Sequence, residues 1–426
     1  MSTEAPESAE EMDQAAVEAR VASPEVMAGS FGEYVRIWLQ RVRNGESGAL
    51  PVVIGLAAIV IYFQVRNGLF LSAGNLVNLL IQGTPFILLG MSEVFVLLLG
   101  EIDLSVGYNA GIGAVMTAWL VFSVPWWLAI LAGLATSAAI GFIQGLLITR
   151  LRLPSFVVTL AGLLGLQGLM IELVATSGHG PGGSIPIPNH IIDDLTTGSL
   201  SVSAGWIIMV AVVALAGAVL ILRDRQRRKA GLVTPPFSVT LLKIAIMAVA
   251  GIVIVLVGNT NRGVLVALRG VPWVVIIVFG VLVIYTALLG RTRFGRYIYA
   301  IGGNAEAARR AGVNLNMIRT LAFTLSGLTA AIGGIILASR LGSISTDLDG
   351  GQYVLYAVAA AVIGGTHLFG GYGKMLHALL GGLVVAAIYN GLGLLGLGAA
   401  PTDIVTALVL LAAVTVDTLA RRGGRG

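Results

Sequence analysis

Residues 104–149 have the sequence LSVGYNAGIGAVMTAWLVFSVPWWLAILAGLATSAAIGFIQGLLIT, in which no side chain is charged. A helix needs about 20 mostly apolar residues to cross a bilayer, so this stretch is too long for a single crossing. Pro125 is followed by Trp126 and Trp127, which places a helix breaker beside aromatic residues that favour the membrane interface. The stretch therefore predicts two membrane-spanning helices joined by a tight turn.

The rest of the chain repeats this apolar pattern. Hydrophobic residues make up 57% of the 426 residues and charged residues only 11%, whereas a soluble domain has about 25% charged residues. The 57 glycines suit close helix packing in a membrane. We therefore predict an all-α polytopic membrane protein with about 12 spans (10–12), where a re-entrant segment near 100–105 can imitate one crossing. The predicted spans lie near 50–66, 74–99, 105–123, 126–149, 155–175, 203–222, 239–258, 272–290, 317–339, 352–370, 375–396 and 402–419.

Basic residues occupy every second loop between these runs. Because lysine and arginine favour the cytoplasmic side, both termini are predicted to be cytoplasmic. Loops 177–203 and 340–351, which contain aspartates, are predicted to be external. The net charge of +5 follows this loop pattern, so we expect no nucleic-acid partner. The basic clusters are Arg36, Arg41 and Arg43; Arg150 and Arg152; Arg223, Arg225, Arg227, Arg228 and Lys229; Arg291, Arg293, Arg296, Arg309 and Arg310; Lys374; and Arg421, Arg422 and Arg425.

Composition divides the chain into three regions. Residues 1–47 form an acidic tail, predicted to be disordered, that ends in the amphipathic segment 31–43. That segment either lies on the membrane surface or links the tail to the first span. Residues 48–420 form the membrane domain, and 421–426 form a basic tail. The start of the chain lacks the basic and apolar regions of a secretory signal, so we expect no cleavage.

Several kinds of chemistry find no support in the sequence. There is no cysteine and there are only four histidines, so no metal site is expected. The G-x-G-x-x-G pattern at 391–396 lies inside an apolar run and follows no predicted strand, which favours helix packing over dinucleotide binding. No phosphate-binding loop of the G-x-x-x-x-G-K-[ST] type occurs. We therefore expect neither enzymatic activity nor a cofactor.

The loop at 291–316 is the most informative of the predicted cytoplasmic segments. Gly302 and Gly303 predict a turn, and Asn304 is suited to cap a short helix over 305–311. Gly312 would end that helix. A capped helix outside the membrane predicts a docking site for a cytoplasmic partner, with a plain solvated connector as the alternative.

Three motifs give the chain a resemblance to a known family. Glu306-Ala307-Ala308, followed after three residues by Gly312, resembles the E-A-A-x-x-x-G loop by which permeases of ATP-binding cassette (ABC) importers contact their ATPases. GEIDLSVG at 100–107, and VIGGT at 362–366 with GGYG at 370–373, resemble segments of the ribose/xylose branch of these permeases. The resemblance covers residues 50–420 and is greatest to xylose permeases, whose length this chain approaches. The hydrophobic-proline part of the general importer motif is missing.

The resemblance implies a complete transport machine. The chain would be a permease subunit in the cytoplasmic membrane, paired with a second copy and surrounded by lipid. Two cytoplasmic ABC ATPase subunits would dock on it, and an extracytoplasmic sugar-binding protein would deliver cargo. The residues that carry ATPase coupling under this resemblance are Gly303, Asn304, Glu306, Ala307, Ala308 and Gly312.

Polar side chains inside the apolar runs are candidates for a transport pathway. A neutral sugar needs hydrogen-bonding groups without strong fixed charge, and buried amides meet that need. For each amide, contact between helices is the competing interpretation. The candidate amides are Asn75, Asn78, Gln82, Asn109, Gln144, Gln167 and Asn390, and Asn78 and Gln82 share a helix face.

Three carboxylates also adjoin or enter apolar runs, where charge is costly. Glu93 lies within the second predicted span and must face protein or water. Glu101 and Asp103 lie at its predicted cytoplasmic end. They belong either to an interfacial loop or to a broken helix that faces the pathway.

Three functions remain open at this stage. The first is an ABC importer permease for a monosaccharide, with a pentose such as xylose favoured. The second is the same machine with another sugar, a nucleoside or a branched-chain amino acid as cargo. An amino acid would need charged partners that the deep helices scarcely offer. The third is an ion-coupled secondary transporter that uses Glu93 and Asp103.

Overall fold

The computed structural model describes residues 30–43, 50–179, 183–232, 234–263 and 267–423. The acidic tail over 1–29 and residues 424–426 of the basic tail lie outside the described residues. The chain divides into two compact units. The larger contains Ala49–Ser199 and Pro272–Thr418, and the smaller contains Leu200–Val271.

Sixteen helices and one two-stranded sheet form over the described residues. In chain order they are α1 (Phe31–Arg43), α2 (Leu50–Arg66), α3 (Ala73–Leu97), α4 (Val106–Leu120), α5 (Trp126–Arg150), α6 (Ser155–Thr176), β1 (Ser184–Pro186), α7 (His190–Thr197), α8 (Val202–Lys229), α9 (Phe237–Asn259), α10 (Trp273–Arg291), α11 (Arg293–Gly303), α12 (Ala305–Arg310), α13 (Leu315–Leu341), β2 (Ser343–Ser345), α14 (Gly350–Ile363), α15 (Met375–Leu394) and α16 (Ala399–Gly423).

Each of the predicted spans contains a helix, and the chain is a polytopic all-α membrane protein. Eight helices in the described part are long and apolar enough to cross a membrane, namely α3, α5, α6, α8, α9, α10, α13 and α15. The remaining four, α2, α4, α14 and the apolar part of α16, are shorter. The predicted span 352–370 is wrong at its end, because α14 stops at Ile363. Gly365, Gly370 and Gly371 then adopt positive φ angles that a helix cannot contain.

The core of the larger unit consists of α3, α4, α5, α13, α14 and α15. These helices approach one another so closely that backbone packs against backbone at several glycines. A Cβ atom placed on Gly334 of α13 would lie 2.0 Å from the carbonyl oxygen of Ala110 in α4. One placed on Gly381 of α15 would lie 1.9 Å from that of Ala360 in α14. Lipid provides no hydrophobic drive for helix association, so small residues that permit close packing hold such a core together.

The two loops predicted to be external meet in the sheet. Strands β1 and β2 are antiparallel, with Ser184 opposite Ser345 and Ile185 opposite Ile344. Both isoleucines are buried. Behind the strands, the Thr196 hydroxyl of α7 lies 2.9 Å from that of Ser339 in α13. Residues 184–199 and 340–351 therefore lie at the same end of the larger unit.

The smaller unit is built around α8 and α9, which are joined by the basic segment that begins within α8. Asp224 of α8 is buried and accepts a hydrogen bond from Thr240 of α9 at 2.6 Å. Gly217 of α8 faces Ile244 of α9. The unit is thus a helical hairpin with a polar contact near its turn.

Candidate functional site

Helix α12 has the caps that the sequence predicts. The Asn304 side chain accepts a hydrogen bond from the Ala307 amide at 2.9 Å. At the other end, Gly312 has a φ of 81° and its amide donates to the Arg309 carbonyl at 3.0 Å. The predicted turn at Gly302 and Gly303 is wrong, because both residues complete α11. Asn304 is both the C-cap of α11 and the N-cap of α12, so the chain turns at Asn304.

The outer surface of α12 carries an exposed ionic cluster. Glu306 accepts hydrogen bonds from Arg309 at 3.0 Å and from Arg310 at 3.1 Å. The hydrogen bond from Arg309, followed by that from Arg310, lowers the pKa of the Glu306 carboxyl. Of the six predicted coupling residues, five have exposed side chains or backbone. Ala308 is buried in the core, so its side chain supports the helix and is not available to a partner.

The three motif segments converge at the end of the bundle that holds α12. Gly302, in the last turn of α11, packs so closely on Leu98 that a Cβ atom would lie 1.8 Å from the Leu98 carbonyl oxygen. The same oxygen accepts a hydrogen bond from the Gly371 amide at 3.0 Å. Tyr299 of α11 donates its hydroxyl to the Gly373 carbonyl at 2.6 Å. Segments far apart in sequence therefore form one compact site, which we call the motif cluster (98–103, 299–312 and 364–373).

Glu101 and Asp103 occupy a non-helical break between α3 and α4, yet they differ. Glu101 forms a salt bridge with Arg319 in the first turns of α13, at 3.0 Å. Asp103 has no exposed surface and accepts hydrogen bonds from the Ser105 amide at 2.9 Å and hydroxyl at 2.6 Å. The Ser326 hydroxyl of α13 donates to its other oxygen at 3.3 Å. Asp103 thus lies inside the protein and not in an interfacial loop, and α13 contacts both carboxylates.

A buried polar network extends from Asp103 into the bundle. Gln144 donates to the Ser105 hydroxyl at 2.7 Å. The hydroxyls of Ser92 and Ser326 lie 2.8 Å apart. Glu93 is fully buried near Asp103, and among the described residues its carboxylate oxygens have no hydrogen-bond partner. The serines of this network were not among the predicted site residues, although Ser105 lies within the GEIDLSVG motif.

The remaining amide candidates fall into separate places. Asn390 of α15 accepts from Asn75 at 2.8 Å and donates to Gln82 at 3.1 Å, which joins three candidates in one chain. Asn109 instead donates to the Ser137 carbonyl at 3.3 Å, which is a contact between α4 and α5. Gln167 approaches Tyr108. The expectation that Asn78 is buried is wrong. Its position on α3 points away from the core, and its side chain is exposed.

Comparison with known proteins shows that the chain is similar to transport permeases. The family model described as branched-chain amino acid transport system / permease component matches residues 75–414. The xylose transport system permease protein of Escherichia coli (strain K12) is 34% identical over 378 residues, which cover 87% of this chain and 92% of that protein. The ribose import permease protein of the same organism is 30% identical over 385 residues, covering 90% and 95%. The xylose permease protein of Haemophilus influenzae is 33% identical over 375 residues, covering 86% and 95%. No solved structure matches the chain.

Proposed function

This chain belongs to the family of branched-chain amino acid transport system permease components, and on that premise we propose that it is the membrane-spanning subunit of an ABC importer for a monosaccharide. Xylose or a related pentose is the proposed cargo. Two copies would form the pathway in the cytoplasmic membrane. ATPase subunits would bind on the inside, and a sugar-binding protein would bind on the outside.

The observation that carries this proposal is the motif cluster. Helix α12 and the residues that flank it present an exposed surface that would receive the ATPase. This surface consists of Gly303, Asn304, Glu306, Ala307 and Gly312. The helix before it, α11, is packed on the break between α3 and α4 without room for a side chain. A push on α12 would therefore reach the interior of the bundle without an intervening flexible element.

Helix α13 offers a second route for the same push. It begins at Leu315, only a few residues after α12 ends at Arg310. Its Arg319 holds Glu101, and its Ser326 holds Asp103. A tilt of α13 would thus shift both carboxylates and the buried network behind them. Such a rigid element with two contacts is what coupled rocking between two states requires.

The proposed cargo rests on the relatives and on the chemistry of the interior. The relatives are permeases named for xylose and ribose, whereas the family description names branched-chain amino acids. A zwitterionic amino acid needs a positive and a negative partner in the pathway. The chain of Asn75, Asn390 and Gln82 is neutral and supplies donors and acceptors for hydroxyls. This favours a sugar.

Uptake by proteoliposomes tests the proposal. The chain is reconstituted with its ATPase and binding protein, and entry of labelled D-xylose, D-ribose and L-leucine is measured with and without ATP. We expect ATP-dependent entry of D-xylose and no entry of L-leucine. Entry of L-leucine alone would move the cargo to amino acids. Entry driven by an ion gradient without the ATPase would replace the importer with a secondary transporter.

A further inference from the structure

Four aromatic rings come together among the core helices of the larger unit, away from the motif cluster. The ring centroid of Phe86 in α3 lies 5.0 Å from that of Tyr356 and 5.9 Å from that of Tyr353, both in α14. It lies 5.6 Å from the ring centroid of Tyr389 in α15. We call these residues the aromatic cluster. Phe86 and Tyr356 are buried, so the ring faces that a ligand can reach belong to Tyr353, which is partly buried, and Tyr389, which is 40% exposed.

A hydrogen-bonded carboxylate adjoins the aromatic cluster at Tyr356. Asp403 accepts hydrogen bonds from the Tyr356 hydroxyl at 3.0 Å and from the Gln352 amide at 2.7 Å. The Asp403 carboxylate is therefore already engaged by two donors of the chain, so neutral amides and ring faces are left for a ligand.

The amide chain described above adjoins the same rings. Gln82 precedes Phe86 by one helical turn on α3, and Asn390 follows Tyr389 on α15. The side-chain oxygen of Asn390 accepts from Asn75, and its side-chain nitrogen donates to Gln82. Among the described residues no hydrogen bond engages the amide nitrogen of Gln82, so donors remain for a ligand.

The exposed edge of this region cannot face lipid. Asn78, one turn from Gln82, is exposed without a hydrogen-bond partner in the described part of the chain. Polar side chains on a spanning helix face protein or water, because lipid cannot satisfy them. This edge therefore borders the pathway or a second copy that encloses it.

The position matches the entry of cargo. Tyr353 lies in the first turn of α14, which follows β2, at the end where the two predicted external loops pair. A monosaccharide has apolar C–H faces that stack on rings and hydroxyls that pair with planar polar groups. We propose that the aromatic cluster, with Asn78, Gln82 and Asn390, is the first site in the permease that receives the neutral sugar. This inference rests on the proposed function and adds the site that reads the cargo.

The test compares single variants in the reconstituted complex. Tyr389→Ala is expected to lower D-xylose uptake roughly tenfold, the loss that removal of one stacking ring produces, while ATP hydrolysis stimulated by the loaded binding protein persists. Tyr389→Phe keeps the ring and should retain most uptake. Tyr62→Ala removes a tyrosine that is also exposed, but on α2, and serves as the matched control.

Asn78→Leu provides a second variant, which breaks no side-chain hydrogen bond within the described part of the chain. It should lower uptake, whereas Asn78→Gln keeps the amide and should retain most uptake. Unchanged uptake in both Tyr389→Ala and Asn78→Leu, with an active wild type, would overturn the inference and leave the importer intact. A wild-type complex without ATP-dependent uptake would instead overturn the proposed function, and this inference with it.

Discussion

Helices α3 and α9 would both be identified as membrane spans, but they have opposite environments. The most apolar window of α3 has a mean hydropathy of 1.6, and 83% of it is buried. The corresponding window of α9 has a mean hydropathy of 2.7, and only 11% of it is buried. Of these two helices, the less apolar one is the more buried one. This order is the reverse of that in a soluble protein.

The reversal has a physical cause. Lipid accepts an apolar side chain as readily as a protein core does, so the most hydrophobic helices gain nothing from burial. Polar side chains and small residues do gain, because lipid cannot satisfy the first and close packing needs the second. Helix α3 accordingly contains Gln82, Ser92 and Glu93, together with Gly83 and Gly90, which pack on Ala386 and Ala360.

The largest expected effect tests glycine packing in the two regions. Gly334→Ala in α13 would place a Cβ atom against the Ala110 backbone, which cannot move aside. We expect a loss of about 3 kcal/mol in the free energy of unfolding, the upper end of overpacking costs. Gly217→Ala in α8 meets only the Ile244 side chain at 3.4 Å. It should change the stability by less than about 1 kcal/mol, in the stabilising direction because alanine favours helix.

Unfolding in detergent, followed by tryptophan fluorescence, measures both glycine variants. The comparison predicts a clear difference between them. Equal stability of Gly334→Ala and Gly217→Ala would mean that α4 and α13 are not in backbone contact.

The next effect concerns the buried aspartate of each region. Asp103→Ala leaves the Ser105 amide, the Ser105 hydroxyl and the Ser326 hydroxyl without their acceptor, and we expect a loss of about 2 kcal/mol. Asp224→Ala leaves mainly the Thr240 hydroxyl, so about 1 kcal/mol is expected. Chemical denaturation of the two variants in the same detergent gives both values. A larger loss for Asp224→Ala would contradict the assignment of the inner network to Asp103.

The smallest effect compares two ion pairs by double-mutant cycles. Glu101 and Arg319 are largely buried, with side chains 12% and 31% exposed, and should couple by about 1 kcal/mol. Arg223 and Asp224 lie 3.4 Å apart, but the Arg223 side chain is 50% exposed, so their coupling should be near zero. The cycles use glutamine and asparagine replacements and the same unfolding assay. Coupling that is stronger at 223/224 would break the distinction between the regions.

Much of the fold follows from hydrophobic length alone. Every predicted span contains a helix, and the break at Pro125 separates α4 from α5 as expected. The end of α14 was missed because residues 364–373 remain apolar while their glycines leave the helix. Hydropathy reports whether a residue tolerates lipid, and it does not report backbone conformation. The hairpin of α8 and α9 was found as two ordinary spans for the same reason.

The site was predictable in its local part only. Asn304 and Gly312 define the ends of α12 through chemistry that acts within a few residues. The contact of Gly302 with Leu98 and the pairing of Arg319 with Glu101 join positions about 200 residues apart, which no local rule can specify. Asn109 was proposed for the pathway, yet its bond to Ser137 joins helices. An amide suits either role, and only its partner decides between them.

The most direct test of the account is the number of sugars moved for each ATP hydrolysed. It is measured in reconstituted complexes of the wild type, Glu306→Lys and Glu33→Lys. Both variants change the charge of an exposed carboxylate, and Glu33 lies on α1, outside the motif cluster. If α12 transmits the motion of the ATPase, Glu306→Lys should lower this ratio about tenfold, within the usual range of coupling energies, while Glu33→Lys leaves it unchanged. An unaltered ratio in correctly folded Glu306→Lys would contradict the account.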